Sequence, residues 1–540
     1  MKTFCRILAA LLVAVMMLSA LAACDTKKTE GPDDKPTSED AATSTGKTDE
    51  PSIGGDLIDK PTINEKFDGE SIKFAVCGPG VNSRSIDLGE DDDPDYEVNQ
   101  QVNKRNSQVE EELGVDIVLE KVVNMQAMVG EMQPILASNI YTYDVLGLYQ
   151  YFDLGLALGD TVGKFYNLLN MPEGYTNYLN LDAPYWSQTL LNTMSYKGVA
   201  FFVTGDLNQS YTGTMFVSYV NTKLWNQYAS KIAALEQSGG YSDIYDLVKN
   251  GYWTLDLWIE LNKMVYVDNG NTPGKPDYED QVGLMTYNEQ INNIMADMLV
   301  AGSNIHYGTL DADGTPAVAI NTKQNVAFYN KLYTLLCDSN AATIPWLASG
   351  DEDVDDTYIM DVFAQGKTLM TVNTLHCAEQ YLANMVDDFY VMPLPMFDHD
   401  QFDSKSASLG YTTQLGDSVN QYAICKAIGD EKIPAVTATL ELMAYYSKLW
   451  VTPAYYETAL KERYTRDERA PEMIDMIQKG IYTDFVFIWS NELDNITWKF
   501  RSNFTKGESQ AATNLKSWHR TVQGKLNKLL PSIEEAFYVE

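Results

Sequence analysis

Along residues 67–149 the hydrophobic positions switch repeatedly between two spacings. Ile72, Phe74 and Val76 alternate with Lys73, Ala75 and Cys77, the two-residue period of a strand, and Gly78-Pro79-Gly80 ends it. Beyond an acidic loop at 89–95, Val98, Val102, Val109 and Leu113 fall on one helical face, with Gly114 as the stop. Val115, Ile117 and Leu119 alternate again as a second strand. A helical stretch over Met125–Ser138 and a strand at Asp144–Tyr149 complete a β-α-β-α-β series. That series is the unit of an open, mostly parallel sheet, which takes ligands beyond the carboxyl ends of its strands. The loops Gly78-Pro79-Gly80 and Tyr149-Gln150-Tyr151 are therefore candidate cleft walls. No glycine-rich phosphate fingerprint follows the first strand. Two rings and an amide in the later loop suit a neutral polyhydroxylated ligand instead.

Further along, Thr254 is a candidate N-cap for a helix whose Leu257, Trp258, Leu261, Met264 and Val265 share a face. From about Val436 the pattern is largely helical. There is no repeat of fixed period and no eightfold βα alternation.

The first 60 residues behave differently. Lys2 and Arg6 precede an apolar run, Ile7–Leu18, and small residues lead to Cys24, the pattern of an export signal. The run is too short to span a membrane comfortably. Leu21-Ala22-Ala23-Cys24 resembles the bacterial lipobox, which implies cleavage before Cys24 and a lipid on its sulfur. Asp25–Lys60 is almost devoid of large apolar residues, so it is expected to stay unfolded as a tether.

Charge sharpens this picture. The 540 residues carry 39 basic and 75 acidic side chains, a net of −36. The tether holds ten acidic and five basic residues and the leader two basic ones, which leaves −33 on the rest. A surface so acidic excludes nucleic acid as a partner and is poorly attracted to anionic lipid, so attachment falls to Cys24. Beyond Cys5 and Cys24, the cysteines Cys77, Cys337, Cys377 and Cys425 have no C-x-x-C or zinc-like spacing. They read as buried thiols first, with one disulfide as the alternative.

Four stretches together resemble the extracellular solute-binding proteins of bacterial ABC importers, the carbohydrate branch that includes maltose-binding protein. They are Tyr196–Val203 with Ser218–Trp225, then Tyr252–Trp258, then Phe363-Ala-Gln-Gly-Lys-Thr-Leu-Met-Thr-Val-Asn373, then Val391-Met-Pro-Leu-Pro-Met396. The resemblance implies an α/β, two-lobed periplasmic-binding-protein-like fold with crossing hinge strands and a helical C-terminal region. It places crossings near Thr204–Thr212 and Ser404–Leu415, with a late return after Leu449. The implied organisation is a leader (1–23), a lipidated cysteine with its tether (24–66), a first lobe from 67–205 and 406–449, and a second from 206–405 and 450–540. The 474 residues from Phe67 onward exceed the common length of the family, which leaves ligand size open.

A sugar site pairs aromatic plates with carboxylates, amides or a histidine. The candidates are Tyr149, Tyr151, Trp186, Asp206, Tyr287, Glu289, His376 and Trp489. Asp206 lies at an expected crossing, with a turn or cap role as the alternative. Trp186 and Trp489 read first as core packing and His376 as a satisfied buried histidine, with ligand contact as the other reading of each. The acidic runs Glu90–Asp95 and Asp351–Asp356, and Asp311-Ala-Asp313-Gly314, lack the spacing of a calcium loop and read as solvated loops. No metal and no cofactor is expected.

The chain has four histidines and no H-E-x-x-H, G-x-S-x-G or P-loop. The expectation is therefore an exported, lipid-anchored, non-enzymatic receptor that captures an oligosaccharide by lobe closure and passes it to a permease. A secreted glycoside hydrolase using an Asp/Glu pair is the enzyme alternative. A surface adhesin is a third, and would lack a deep cleft.

Overall fold

The chain divides into Met1–Gly55 and Asp56–Glu540. The computed structural model describes residues 58–77, 97–123, 128–138, 143–150, 154–269, 273–274, 276, 279–286, 294–343, 356–416, 419–456, 467, 469–505 and 511–538, all in the second unit. The leader, Cys24 and most of the tether lie outside them.

In chain order the elements are β1 (Glu70–Cys77), α1 (Glu97–Leu113), β2 (Val115–Val123), α2 (Met128–Ser138), β3 (Val145–Tyr149) and α3 (Gln188–Met194). They are followed by β4 (Phe216–Asn221), α4 (Thr222–Ile232), α5 (Leu255–Val265), β5 (Val282–Thr286), α6 (Ile294–Gly302), β6 (Gly308–Leu310), β7 (Pro316–Val318) and α7 (Lys323–Tyr333). Then come β8 (Ala342–Thr343), α8 (Asp356–Ala364), β9 (Thr368–Thr374), β10 (Phe389–Met392) and β11 (Asn420–Ile424). The chain ends in α9 (Ile433–Tyr446), α10 (Ala470–Lys479), α11 (Phe485–Ile488), α12 (Ile496–Thr505) and α13 (Ala511–Tyr538).

The first sheet runs β11-β3-β1-β2, with β1 parallel to both neighbours and β11 antiparallel on the edge. It forms where the alternation placed it. Ile72, Phe74 and Val76 are buried on one face with Val109 and Leu113 of α1, while Ala75, Leu146 and Leu148 are buried on the other. Gly114 takes φ +70, a left-handed value that favours glycine, and Asp68 would occupy the space of any side chain there. A parallel sheet buried on both faces needs such apolar strands.

The second sheet runs β10-β4-β9-β5-β8 and mixes antiparallel and parallel pairs. Asn221 caps α4, accepting from the Leu224 N–H at 2.9 Å, and Thr254 caps α5 as its sequence position foretold. Trp253 packs edge to face with Trp258 and at a tilt against Trp225 within this lobe, and its indole donates to the Pro393 carbonyl at 2.8 Å. The two resembling stretches around Trp253 and Pro393 thus meet in one core.

Three connections join the sheets. Residues 203–216 pair antiparallel with 414–416 and 419–422, bonded through Val203 with Tyr422, Thr214 with Gly416, and Phe216 with Gln414. Thr412 is still bonded to the Ala301 carbonyl of the second lobe, so the return path begins just after it. The third connection is the continuation of α9 through a π-helical stretch, Ser447–Val451, into Thr452–Ala454. The C-terminal helices then cover the second lobe, α12 against α6 and α13 against α7 and β7.

A buried network fastens that cover. Arg501 of α12 pairs with Asp297 of α6, which also accepts from the Tyr307 hydroxyl; both charged side chains are almost completely buried. Removing one member leaves the other charge stranded in a low dielectric. Arg501→Met should lower unfolding free energy by about 3–5 kcal/mol, read as a shift in the denaturant midpoint. The double change with Asp297→Leu should recover part of that loss.

Candidate interlobe site

The sequence candidates separate into four groups. Tyr151, Tyr287 and Glu289 lie outside the described residues, as do Gly78-Pro79-Gly80 and the acidic runs Glu90–Asp95 and 351–355. Asp311 closes the turn between β6 and β7, accepting from the backbone N–H groups of Asp313 and Thr315.

Trp186 is held inside the first lobe. Its ring is 2% exposed and its indole donates to Glu441 Oε2 of α9 at 3.1 Å. Tyr185 and the Asn180 N–H bond the same carboxylate. Burial nevertheless pushes the Glu441 carboxyl above the usual carboxylate range, against these three donors. The arrangement ties the loop at 180–186 to α9. Gly205 is required beside it, because a Cβ there would run into the Tyr185 carbonyl. Trp186 is thus a packing residue in this lobe and presents no free ring face to a cleft. Tyr149 is likewise buried, at the end of β3.

Asp206 and His376 lie at the connections. The Asp206 carboxylate pairs with Lys448 Nζ at 3.0 Å and accepts from Thr452 Oγ1 at 3.0 Å. It therefore binds the first connection to the third. His376, at the end of β9, donates its backbone N–H to the Gly213 carbonyl at 2.9 Å, and its Nδ1 lies 3.0 Å from Thr374 Oγ1. A Cβ on Gly213 would lie 2.9 Å from the Tyr455 hydroxyl and 3.5 Å from His376 Cβ. One residue of the second lobe and two connections thus converge at Gly213.

Trp489 follows α11, which packs on α3 of the first lobe. Its ring is 3% exposed and stacks on Phe485 with centroids 5.8 Å apart. Its buried indole N–H has no hydrogen-bond partner within the protein. Gln421 of β11 approaches α3 from the other side, its amide nitrogen 2.9 Å from Met194 Sδ, and its buried Oε1 is unpartnered too. So is Oε1 of Gln150, whose N–H bonds the Val419 carbonyl where the second connection enters the first sheet.

Tyr211 completes the set. Its hydroxyl is 3.0 Å from Ser187 Oγ, and burial pushes it up to about 12. The line between the lobes is therefore built of phenols, amides, an indole and a histidine, with the Asp206–Lys448 charges closed on each other. Periodicity could not find Gln421, because an isolated amide on a strand has no local signature.

Among the described residues no group of three or more His, Cys, Asp or Glu side chains could hold a metal ion, and no helix is long and apolar enough to cross a membrane. Cys377 and Cys425 are buried thiols, and Cys337 is an exposed one. A small apolar cavity bordered by Val300, Phe328, Ile496, Phe500 and Trp518 lies within the second lobe and shares no residue with the connections.

If Asp206 acts as a strut, its coupling to Lys448 belongs to the folded protein. A double-mutant cycle with Asp206→Asn and Lys448→Met, followed by chemical denaturation, should give an interaction of about 1–3 kcal/mol. Additive losses would return Asp206 to the ligand-contact role.

No family model matches the sequence, and no curated protein matches it. Solved structures do. The extracellular solute-binding protein of Staphylococcus aureus in complex with maltose aligns with a TM-score of 0.52 at 12% identity, over 86% of this chain and 100% of its own. The cyclic alpha-maltosyl-1,6-maltose binding protein of Arthrobacter globiformis gives 0.53 at 13% identity, over 85% and 99%. A cyclo/maltodextrin-binding protein complexed with maltotetraose gives 0.52 at 12% identity, over 86% and 100%. This chain has the two-lobed α/β fold of the extracellular solute-binding proteins, with Gln150, Gln421 and Trp489 near the line where its two lobes meet.

Proposed function

We propose that this protein is a solute-binding receptor of an ABC importer, which captures a neutral carbohydrate of oligosaccharide size between its two lobes. The observation that carries the reading is the set of buried, unpartnered polar groups at the lobe boundary: two amide oxygens, Gln150 and Gln421, and the Trp489 N–H. Leaving each unmade costs about 1–3 kcal/mol. Hydroxyl groups, which both donate and accept, answer all three. The proteins of like fold that bind maltose, maltotetraose and a cyclic maltosyl-maltose support the same ligand class. The acidic body, at −33 beyond the tether, disfavours an anionic solute.

In this reading the lobes close as both sides meet the ligand, so ligand stabilises the shut state. Tyr151, Tyr287 and Glu289 remain proposed contacts, as do His376 and Trp489 from the second lobe. Cys24 carries the lipid that holds the exported body at the membrane, and a permease receives the solute. The chain performs no chemistry on the ligand.

A thermal-shift series with maltose, maltotetraose and larger oligosaccharides tests this directly. A sugar that binds should stabilise by about 2.7 kcal/mol at a hundred times its Kd, with no product formed. Trp489→Phe keeps a ring but removes the N–H, and should weaken that sugar about tenfold, or 1.4 kcal/mol. No shift with any sugar would sink the carbohydrate assignment, and turnover of an aryl glycoside would favour the hydrolase alternative.

A further inference from the structure

The segment 484–497 is built into the second lobe. Asp484 caps α11, accepting from the Phe487 N–H at 2.9 Å, and also accepts from the Tyr307 N–H at 3.0 Å. Ser490 Oγ lies 2.9 Å from Thr497 Oγ1 at the start of α12. Yet the far side of this segment faces the first lobe. Alongside the packing of α11 on α3, Glu492 reaches the turn Leu154–Ala157 that follows β3. A Cβ built on Gly155 would lie 2.5 Å from Glu492 Oε1 and 3.7 Å from its Cδ. The carboxyl therefore rests on the Gly155 backbone, across the boundary that closure must form.

We propose that Glu492 couples lobe closure to proton uptake: the boundary shuts when this carboxyl is neutral and loosens when it is ionised. The proposal rests on the closure reading given above, but not on the identity of the ligand. Its physical basis is desolvation. Shutting the lobes moves the carboxyl out of water, and that move penalises the charged form far more than the neutral one. In the structure, burial lifts the Glu492 carboxyl to about 7, opposed by the Asn491 side chain and the charge of Lys525.

The surroundings supply little to cancel that charge. From the first lobe, the turn Leu154–Ala157 and α3 bring no ionisable side chain. From the second lobe, α11 brings none, and Lys525 of α13 is the cation that faces Glu492. Lys525 is shared with Asp494, 3.4 Å away, which Lys499 also pairs.

The direction follows from linkage. A carboxyl near its ordinary 4.5 when solvated, and about 7 when shut in, binds a proton on closure between those values. Closure is therefore strongest below that window, weakens as the pH climbs through it, and is weakest above 7.

Hydrogen exchange on the full chain, without ligand and corrected for intrinsic rates, tests this between pH 5 and 8. Peptides covering 154–162 and 485–497 should lose protection roughly tenfold or more across that range. Glu492→Gln, a neutral isostere, should flatten the slope, leaving only what the buried cap Asp484, lifted to about 6, contributes to the 485–497 peptide. Lys525→Met should move the midpoint to higher pH, which a purely structural role for Glu492 would not do. An equal pH slope in the wild type and Glu492→Gln, or an unmoved midpoint in Lys525→Met, overturns the proposal. Because no sugar is present, failure of the carbohydrate assignment would leave this measurement unaffected.

Discussion

Arg105 of α1 is fully buried, and its guanidinium is where the first and third interlobe connections are held to the first lobe. One nitrogen donates to the Leu207 carbonyl at 3.3 Å and to Ser447 Oγ at 3.0 Å. Leu207 belongs to the first connection and Ser447 opens the π-helical stretch of the third. The Asp206–Lys448 pair and the Thr452 bond lock the same two segments from the other side. Burying these charges is tolerable only because each is satisfied by hydrogen bonds. The second connection is bound to the first as an antiparallel pair. The junction is thus one polar cluster between two apolar cores.

The same logic organises the boundary. Groups near the lobe boundary include amides and an indole, Gln150, Gln421 and Trp489, whose hydrogen-bonding capacity the protein does not exhaust, as is also true of Trp258 and Asn262 within the second lobe. Such groups cost stability unless something else answers them. Glu492 differs from Gln150, Gln421 and Trp489 in having a charge state, which is what the proposed proton coupling uses.

Much of the first lobe was legible from residue order. The alternation at Ile72–Val76, the face Val98–Leu113, Gly114 and the strand ending at Tyr149 all appear as elements, because burial on both sheet faces writes itself into local periodicity. The caps at Asn221 and Thr254 are local too. The site was read less well. Asp206 was noticed for its position at a crossing, but its partners Lys448 and Thr452 lie more than 240 residues away. For Trp186 the order of residues offered both packing and sugar contact, and its partner Glu441, which also binds Tyr185, lies some 255 positions further on.

The sequence by itself determined which segments become strands and helices, since those depend on spacing of apolar side chains and on capping within a few residues. It also settled the acidic character of the body and the absence of a phosphate-binding loop after β1. Only the tertiary structure decided which polar residues face the lobe boundary and which of them already have partners. Hydrogen-bond satisfaction and desolvation are properties of groups brought together from distant parts of the chain, and no local pattern encodes them.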